Sequence, residues 1–139
     1  MSAAKVREAA CACGGLKVVV RGDPALVSTC CCQQCQRRTG SFYGVTLFFE
    51  ADQVVERQGA ESVFRRTGES GKPLDFRFCP SCGATVWWTA GARPGRVMVA
   101  GGAFADPTLP PPERVIWTEH RHPSVCVPDG IPEYPRAPT

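Results

Sequence analysis

Apolar and polar positions follow two regimes along the chain, and the change between them falls near residue 101. Before it, the sequence breaks into short runs rich in β-branched and aromatic residues: LKVVV (16–20), ALVST (25–29), GVTLFFE (44–50), SVFRR (62–66), DFRF (75–78), TVWWT (85–89) and RVMVAG (96–101). Their length and composition predict strands. No window of a dozen residues sustains an apolar period near 3.6, so few or no long helices are expected. RGDP (21–24), TGESGKP (67–73) and AGARPG (90–95) separate the runs, and their turn-forming residues predict tight reversals between neighbouring strands. The fold class that follows is mainly β, built of antiparallel sheets. Beyond residue 101 the chain is proline-rich, with PTLPPPE (107–113) and PDGIPEYPRAP (128–138), which predicts an irregular wrap over the sheets.

A chain of 139 residues fits one domain, 1–139, with loosely ordered ends at 1–8 and 130–139. Sixteen basic against thirteen acidic residues leave a net charge of +3. There is no dense Lys/Arg run and no basic stripe interleaved with aromatics, so nucleic acid is not an expected partner. The first ten residues, MSAAKVREAA, are charged and lack an apolar core, and no stretch is long enough to span a bilayer. A cytoplasmic protein with no membrane partner is expected. The sequence carries no signal for oligomeric state.

Nine cysteines change the picture most. In a compartment that keeps thiols reduced, such a density reads as metal binding; four disulfides and one free thiol would use the same residues, and the compartment argues against them. The cysteines fall into four groups: Cys11-Ala12-Cys13, Cys30-Cys31-Cys32-Gln33-Gln34-Cys35, Cys79-Pro80-Ser81-Cys82 and a lone Cys126. The C-P-x-C-G turn at 79–83 places two sulfurs on one side of a knuckle, half of a tetrahedral zinc site. In an extended strand Cys11 and Cys13 share a face and can supply the other half. The same period puts Cys30 and Cys32 together with Cys31 opposite, and Cys35 closes a second knuckle. That second group offers three sulfurs. It is either an open site where a ligand can enter the coordination shell, or a structural site completed by His120, His122 or Cys31. Two zinc ions per chain, held by seven of the nine cysteines, are expected. Trp87, Trp88, Phe76 and Phe78 are expected to pack the sheet beneath the first zinc, and Cys126 to act as a small apolar filler.

The ordered motifs CACGG, CCCQQCQRRTGS and CPSCG resemble those of the glutathione-dependent formaldehyde-activating enzyme family, which includes the centromere protein V domain and has an Mss4-like, tent-shaped fold. The resemblance runs from about Cys11 to Gly102, with weaker likeness in VIWTEHRHP and VPDGIPEYP. Two positions depart from the family pattern: Cys31 stands where His is common, and Gln36 where a basic residue is common. The resemblance implies a structural zinc at Cys11, Cys13, Cys79 and Cys82, and a catalytic zinc at Cys30, Cys32 and Cys35. It implies a carbon–sulfur lyase acting on glutathione and formaldehyde, forming or cleaving S-hydroxymethylglutathione. Glutathione carries two carboxylates, for which Arg37 and Arg38 are the candidate partners. Thr39-Gly40-Ser41 reads as a turn into the strand at 44. The alternative is a non-catalytic zinc module that binds a partner or carries a thiol.

Overall fold

A computed structural model of the chain describes residues 4–138. Among these residues ten strands form two sheets. Strands β1 (Val6–Ala10), β2 (Lys17–Arg21) and β5 (Val54–Gln58) make a three-stranded antiparallel sheet in the order β1-β2-β5. The other seven are β3 (Leu26–Cys30), β4 (Gly44–Glu50), β6 (Ser62–Thr67), β7 (Pro73–Phe78), β8 (Thr85–Ala90), β9 (Arg96–Ala100) and β10 (Arg114–Ile116), in the order β10-β3-β4-β9-β8-β7-β6. One helix, α1 (Gln33–Thr39), interrupts them. Among the described residues no helix is long and apolar enough to cross a membrane.

The mainly β expectation holds, and all seven predicted runs are strands. The β6–β7 and β8–β9 turns are reversals between paired strands, as TGESGKP and AGARPG implied. RGDP is not: it carries the chain from the small sheet to the large one. There Gly22 N–H donates to Lys5 O at 2.7 Å, and the Gln53 amide donates to Arg21 O and Asp23 O at 3.0 and 2.9 Å. Nor is pairing antiparallel throughout, since β10 runs parallel to β3. The tail is thus not wholly irregular. Within the ends expected to be loosely ordered, 1–8 and 130–139, the strand Val6–Ala10 begins, and Tyr134 exchanges backbone hydrogen bonds with the β10 region, its N–H donating to Val115 O at 2.9 Å. Of those termini, residues 1–3 and 139 lie outside the described residues.

Alternation along the large sheet sends side chains to two apolar faces. Val27, Leu47, Trp87 and Val99 point toward the small sheet and share one core cluster with its Ala9, Val18 and Val20. The opposite face carries Phe48, Met98, Trp88 and Phe76, register neighbours across β4, β9, β8 and β7. Phe76 and Trp88 are therefore buried in a second cluster on the opposite face from Trp87, and not with it as expected, because adjacent strand residues face opposite ways.

The turn after β5 fixes how closely the small sheet approaches the cysteine-bearing loop. Gly59 has φ +94°, and a Cβ there would lie 1.8 Å from Gly15 O. No rotation of a side chain relieves a clash with backbone. Gly59→Ala should therefore cost about 2–4 kcal/mol of stability; a urea midpoint equal to that of the parent protein would show that the contact does not constrain the fold.

Candidate metal centres and adjoining cleft

Two loops of matching build converge at one end of the sheets. In each, a cysteine N–H donates five residues ahead: Cys11 to Leu16 O at 2.9 Å, and Cys79 to Ala84 O at 3.0 Å. In each, a glycine near φ +80° turns its N–H back to the same cysteine's carbonyl, Gly14 to Cys11 O and Gly83 to Cys79 O. The first loop follows β1 as a tight turn, so Cys11 and Cys13 are brought together by curvature and not by the strand alternation expected of them. The four sulfurs of Cys11, Cys13, Cys79 and Cys82 lie within 4.8 Å of one another.

The sulfur spacing tests whether a zinc ion fits. Cys11 Sγ to Cys13 Sγ is 3.7 Å and Cys13 Sγ to Cys79 Sγ is 3.6 Å. A tetrahedron with zinc–sulfur arms of about 2.3 Å has edges of about 3.8 Å. Backbone N–H groups already turn toward the sulfurs, Leu16 to Cys11 Sγ at 3.1 Å and Ser81 to Cys79 Sγ at 3.4 Å, as thiolates require. The donor set and spacing fit zinc. All nine cysteines are free thiols.

Cys30, Cys32 and Cys35 form a second cluster with sulfurs again within 4.8 Å of one another. Cys30 ends β3. Cys32 is the N-cap of α1 and its sulfur accepts the Cys35 N–H at 3.3 Å. Hydrogen bonds from the Cys30 thiol and then the Cys35 thiol hold Cys32 down to about 2, while the same bond to Cys32 pushes Cys30 up. One thiolate buffered by two thiols is the donor set of a soft cation's site. Cys31 points away and is fully buried. Among the described residues no fourth Cys, His or carboxylate joins the trio at this spacing. His122 is engaged elsewhere, stacked on Phe42 at 3.9 Å with its Nδ1 2.8 Å from Ser124 Oγ.

The trio opens onto a cavity of about 620 Å³ on the face of the large sheet away from the small sheet. Its floor is the row Phe48, Met98, Trp88 and Phe76, of which Trp88 and Phe76 were expected beneath the first zinc. His120 lines the wall beside α1, its ring stacked on Trp117. Trp117 takes φ 60° and ψ 40°, left-handed backbone that a bulky residue adopts only under constraint. The restraint comes from Thr118, whose N–H and Oγ1 both donate to Tyr134 O. Gln36 ties this wall to α1, its amide donating to Cys31 O at 2.9 Å and His120 O at 3.2 Å. Of the two predicted arginines, Arg38 enters the cavity and Arg37 stays exposed outside it. Gly44 makes the room: a Cβ there would lie 2.8 Å from Arg38 Nη2. Thr39-Gly40-Ser41 is the end of α1, with Gly40 as its left-handed cap at φ 70°. Cys126 is exposed and fills no core.

Residues 6–120 match the sequence profile described as glutathione-dependent formaldehyde-activating enzyme. A crystal structure of a Rhodobacter sphaeroides protein, a structural genomics target, superposes with a TM-score of 0.55 at 16% identity, covering 91% of this chain and 98% of that one. That likeness is one of fold alone. No curated protein matches the chain.

The quartet's thiols differ in acidity when no metal is present. Backbone hydrogen bonds from Ala84 and then Cys13 lower Cys82 to about 6. At Cys13 the Gly15 N–H pulls down, but the sulfurs of Cys79, Cys11 and Cys82 together outweigh it and push the thiol up to about 11. Both are exposed, so acidity and not access sets their reactivity. In a brief iodoacetamide pulse at pH 7, given as chelator strips the metal and while the fold still stands, Cys82 should be labelled well before Cys13, with Cys82 labelling falling as pH drops through about 6. Peptide mass mapping that finds the two labelled at equal rates would sink this ordering.

Proposed function

Because this chain belongs to the glutathione-dependent formaldehyde-activating enzyme family, we propose that it is a zinc-dependent carbon–sulfur lyase that forms or cleaves S-hydroxymethylglutathione or a related thiol adduct. The family supports a glutathione-linked, formaldehyde-activating function in general. The narrower reading rests on one observation: three cysteine sulfurs stand together at the mouth of a cavity with no fourth protein ligand beside them among the described residues.

In this reading Cys11, Cys13, Cys79 and Cys82 hold a structural zinc, and Cys30, Cys32 and Cys35 hold a second. Zinc held by the trio would lower the pKa of an added thiol and keep it as thiolate. In the forward direction the glutathione sulfur bonds to the formaldehyde carbon, the carbonyl π pair moves to oxygen, and the thiol's proton ends on that oxygen. The chain's own residues orient the partners. The helix cap fixes Cys32 and Cys35 in one turn, the Gln36 amide keeps α1 against the Trp117–His120 wall, and the aromatic floor excludes water from the adduct's carbon chain. Arg38 carries its guanidinium into the cavity, with a buried Nη2 that has no hydrogen-bond partner, as a carboxylate-binding group would. Free thiols throughout the chain support a reducing compartment such as the cytoplasm.

Cobalt-substituted protein titrated with glutathione tests the assignment. Visible bands from one site should shift saturably while the other site's bands stay fixed; no shift would favour a non-catalytic zinc module. Two variants separate the sites. Cys79→Ser removes a ligand shared between sheets and should unfold the protein. Cys35→Ser should keep the fold and lose the glutathione response, and unfolding of Cys35→Ser by circular dichroism would make the trio structural.

A further inference from the structure

Among the described residues the cavity holds an excess of positive charge. Arg38, Arg66, Lys72 and Arg93 line it against a single carboxylate, Glu69. Among the described residues none of the four has a carboxylate within salt-bridge distance, although Arg7, Arg65, Arg77, Arg96, Arg121 and Arg136 all do. Three of the cavity's cations instead rest on aromatic rings of the floor. The Arg38 guanidinium lies 4.5 Å from the Trp88 ring centroid, Arg66 lies 5.3 Å from that of Phe76, and Arg93 lies 5.2 Å from that of Phe48. A ring face attracts a cation more weakly than a carboxylate does and leaves its N–H edge free to donate.

Register places these cations relative to the sulfurs. Cys30 pairs with Gly44 at one end of β4, and Phe48 lies four residues along the same strand, about 13 Å away. Arg93 stands over Phe48 and belongs to the β8–β9 turn. Arg66 pairs with Leu74 beside the β6–β7 turn that carries Lys72. These three therefore gather at the end of the floor remote from the trio, whereas Arg38 projects from the trio's own helix. A cysteine-sized thiol bound at the sulfurs cannot span that length; an extended peptide-like thiol can.

We infer that Arg66, Lys72 and Arg93 form an anion subsite that takes a carboxylate of the thiol substrate at a distance from its sulfur, so that the cleft selects thiols bearing a remote carboxylate over small ones without a carboxylate. This rests on the reading of the cleft as a thiol-adduct site. It adds a specificity determinant that no cysteine provides. The competing role for the three side chains is to cover the apolar floor, which needs neither their charge nor a ligand.

The test uses zinc-loaded full-length protein and calorimetric titration with S-methylglutathione, which has both carboxylates and no free thiol, and with cysteamine, which has a thiol and no carboxylate. S-methylglutathione should bind, and should weaken at least about tenfold in Arg66→Gln or Arg93→Gln, the loss expected of a charge-assisted hydrogen bond. Cysteamine binding should not change in either variant. Should a variant fail to fold, the parent protein with the dimethyl ester of S-methylglutathione reads the same term, and esterification should weaken binding at least about tenfold. Failure of S-methylglutathione to bind the parent protein overturns the subsite, as does indifference to esterification, to both substitutions, or an equal loss for cysteamine. Turnover of glutathione and formaldehyde is scored separately. Turnover with charge-indifferent binding sinks the subsite alone, and charge-dependent binding without turnover sinks the lyase reading alone.

Discussion

Four cysteine sulfurs from two sheets meet within 4.8 Å of one another, and sulfurs that close repel once ionised unless a cation sits among them. The rest of the architecture hangs on that junction. The three-stranded sheet ends in the mostly exposed strand β5 and buries its apolar face against the large sheet. It is held by the apolar cluster it shares with the large sheet and, at one end, by loops that bring Cys13 and Cys79 to 3.6 Å. The backbone contact of Gly59 with Gly15 lies beside the same loops. With the small sheet fixed on one face, the large sheet's other apolar face is left to become a cleft.

The cysteine groups were legible because their chemistry is carried by spacing. C-x-C, C-x-x-C and C-P-x-C-G each force sulfurs together over a few bonds, whatever the surrounding fold. Strands β2, β3, β4 and β6 to β9 were legible for the same local reason. Strand β1, VREAA, has neither β-branched nor aromatic density beyond its first residue; β5, VVERQ, is mostly exposed; and β10 is three residues long. Such strands owe their existence to a neighbour's unpaired edge, which no local window contains. Helix α1 escaped because seven residues are too few to display a helical period and its cap is a cysteine where Ser, Thr, Asp or Asn is the usual signal.

The cleft was less legible than the sulfurs at its mouth. TVWWT and RVMVA alternate between two faces that are both apolar, so periodicity separates Trp87 from Trp88 and Val99 from Met98 without saying which face meets another layer. Arg38, Arg66 and Arg93 share no motif, and only strand order brings them over one floor. Arg37 and Arg38 are adjacent and chemically alike; the helix turn and the missing Cβ at Gly44 admit one and leave the other in solvent.

The two sulfur clusters also differ in how far apart their members lie along the chain. The trio spans Cys30 to Cys35 and needs one strand end and one helical turn, both short-range structures. The quartet needs Cys13 to find Cys79 across a separation of 66 residues, and the entropy of closing a loop that long is met only when both sheets have formed and docked. A folding chain therefore completes the three-sulfur cluster early and the four-sulfur one last, so a local sulfur pocket is in place before the structure that shelters it.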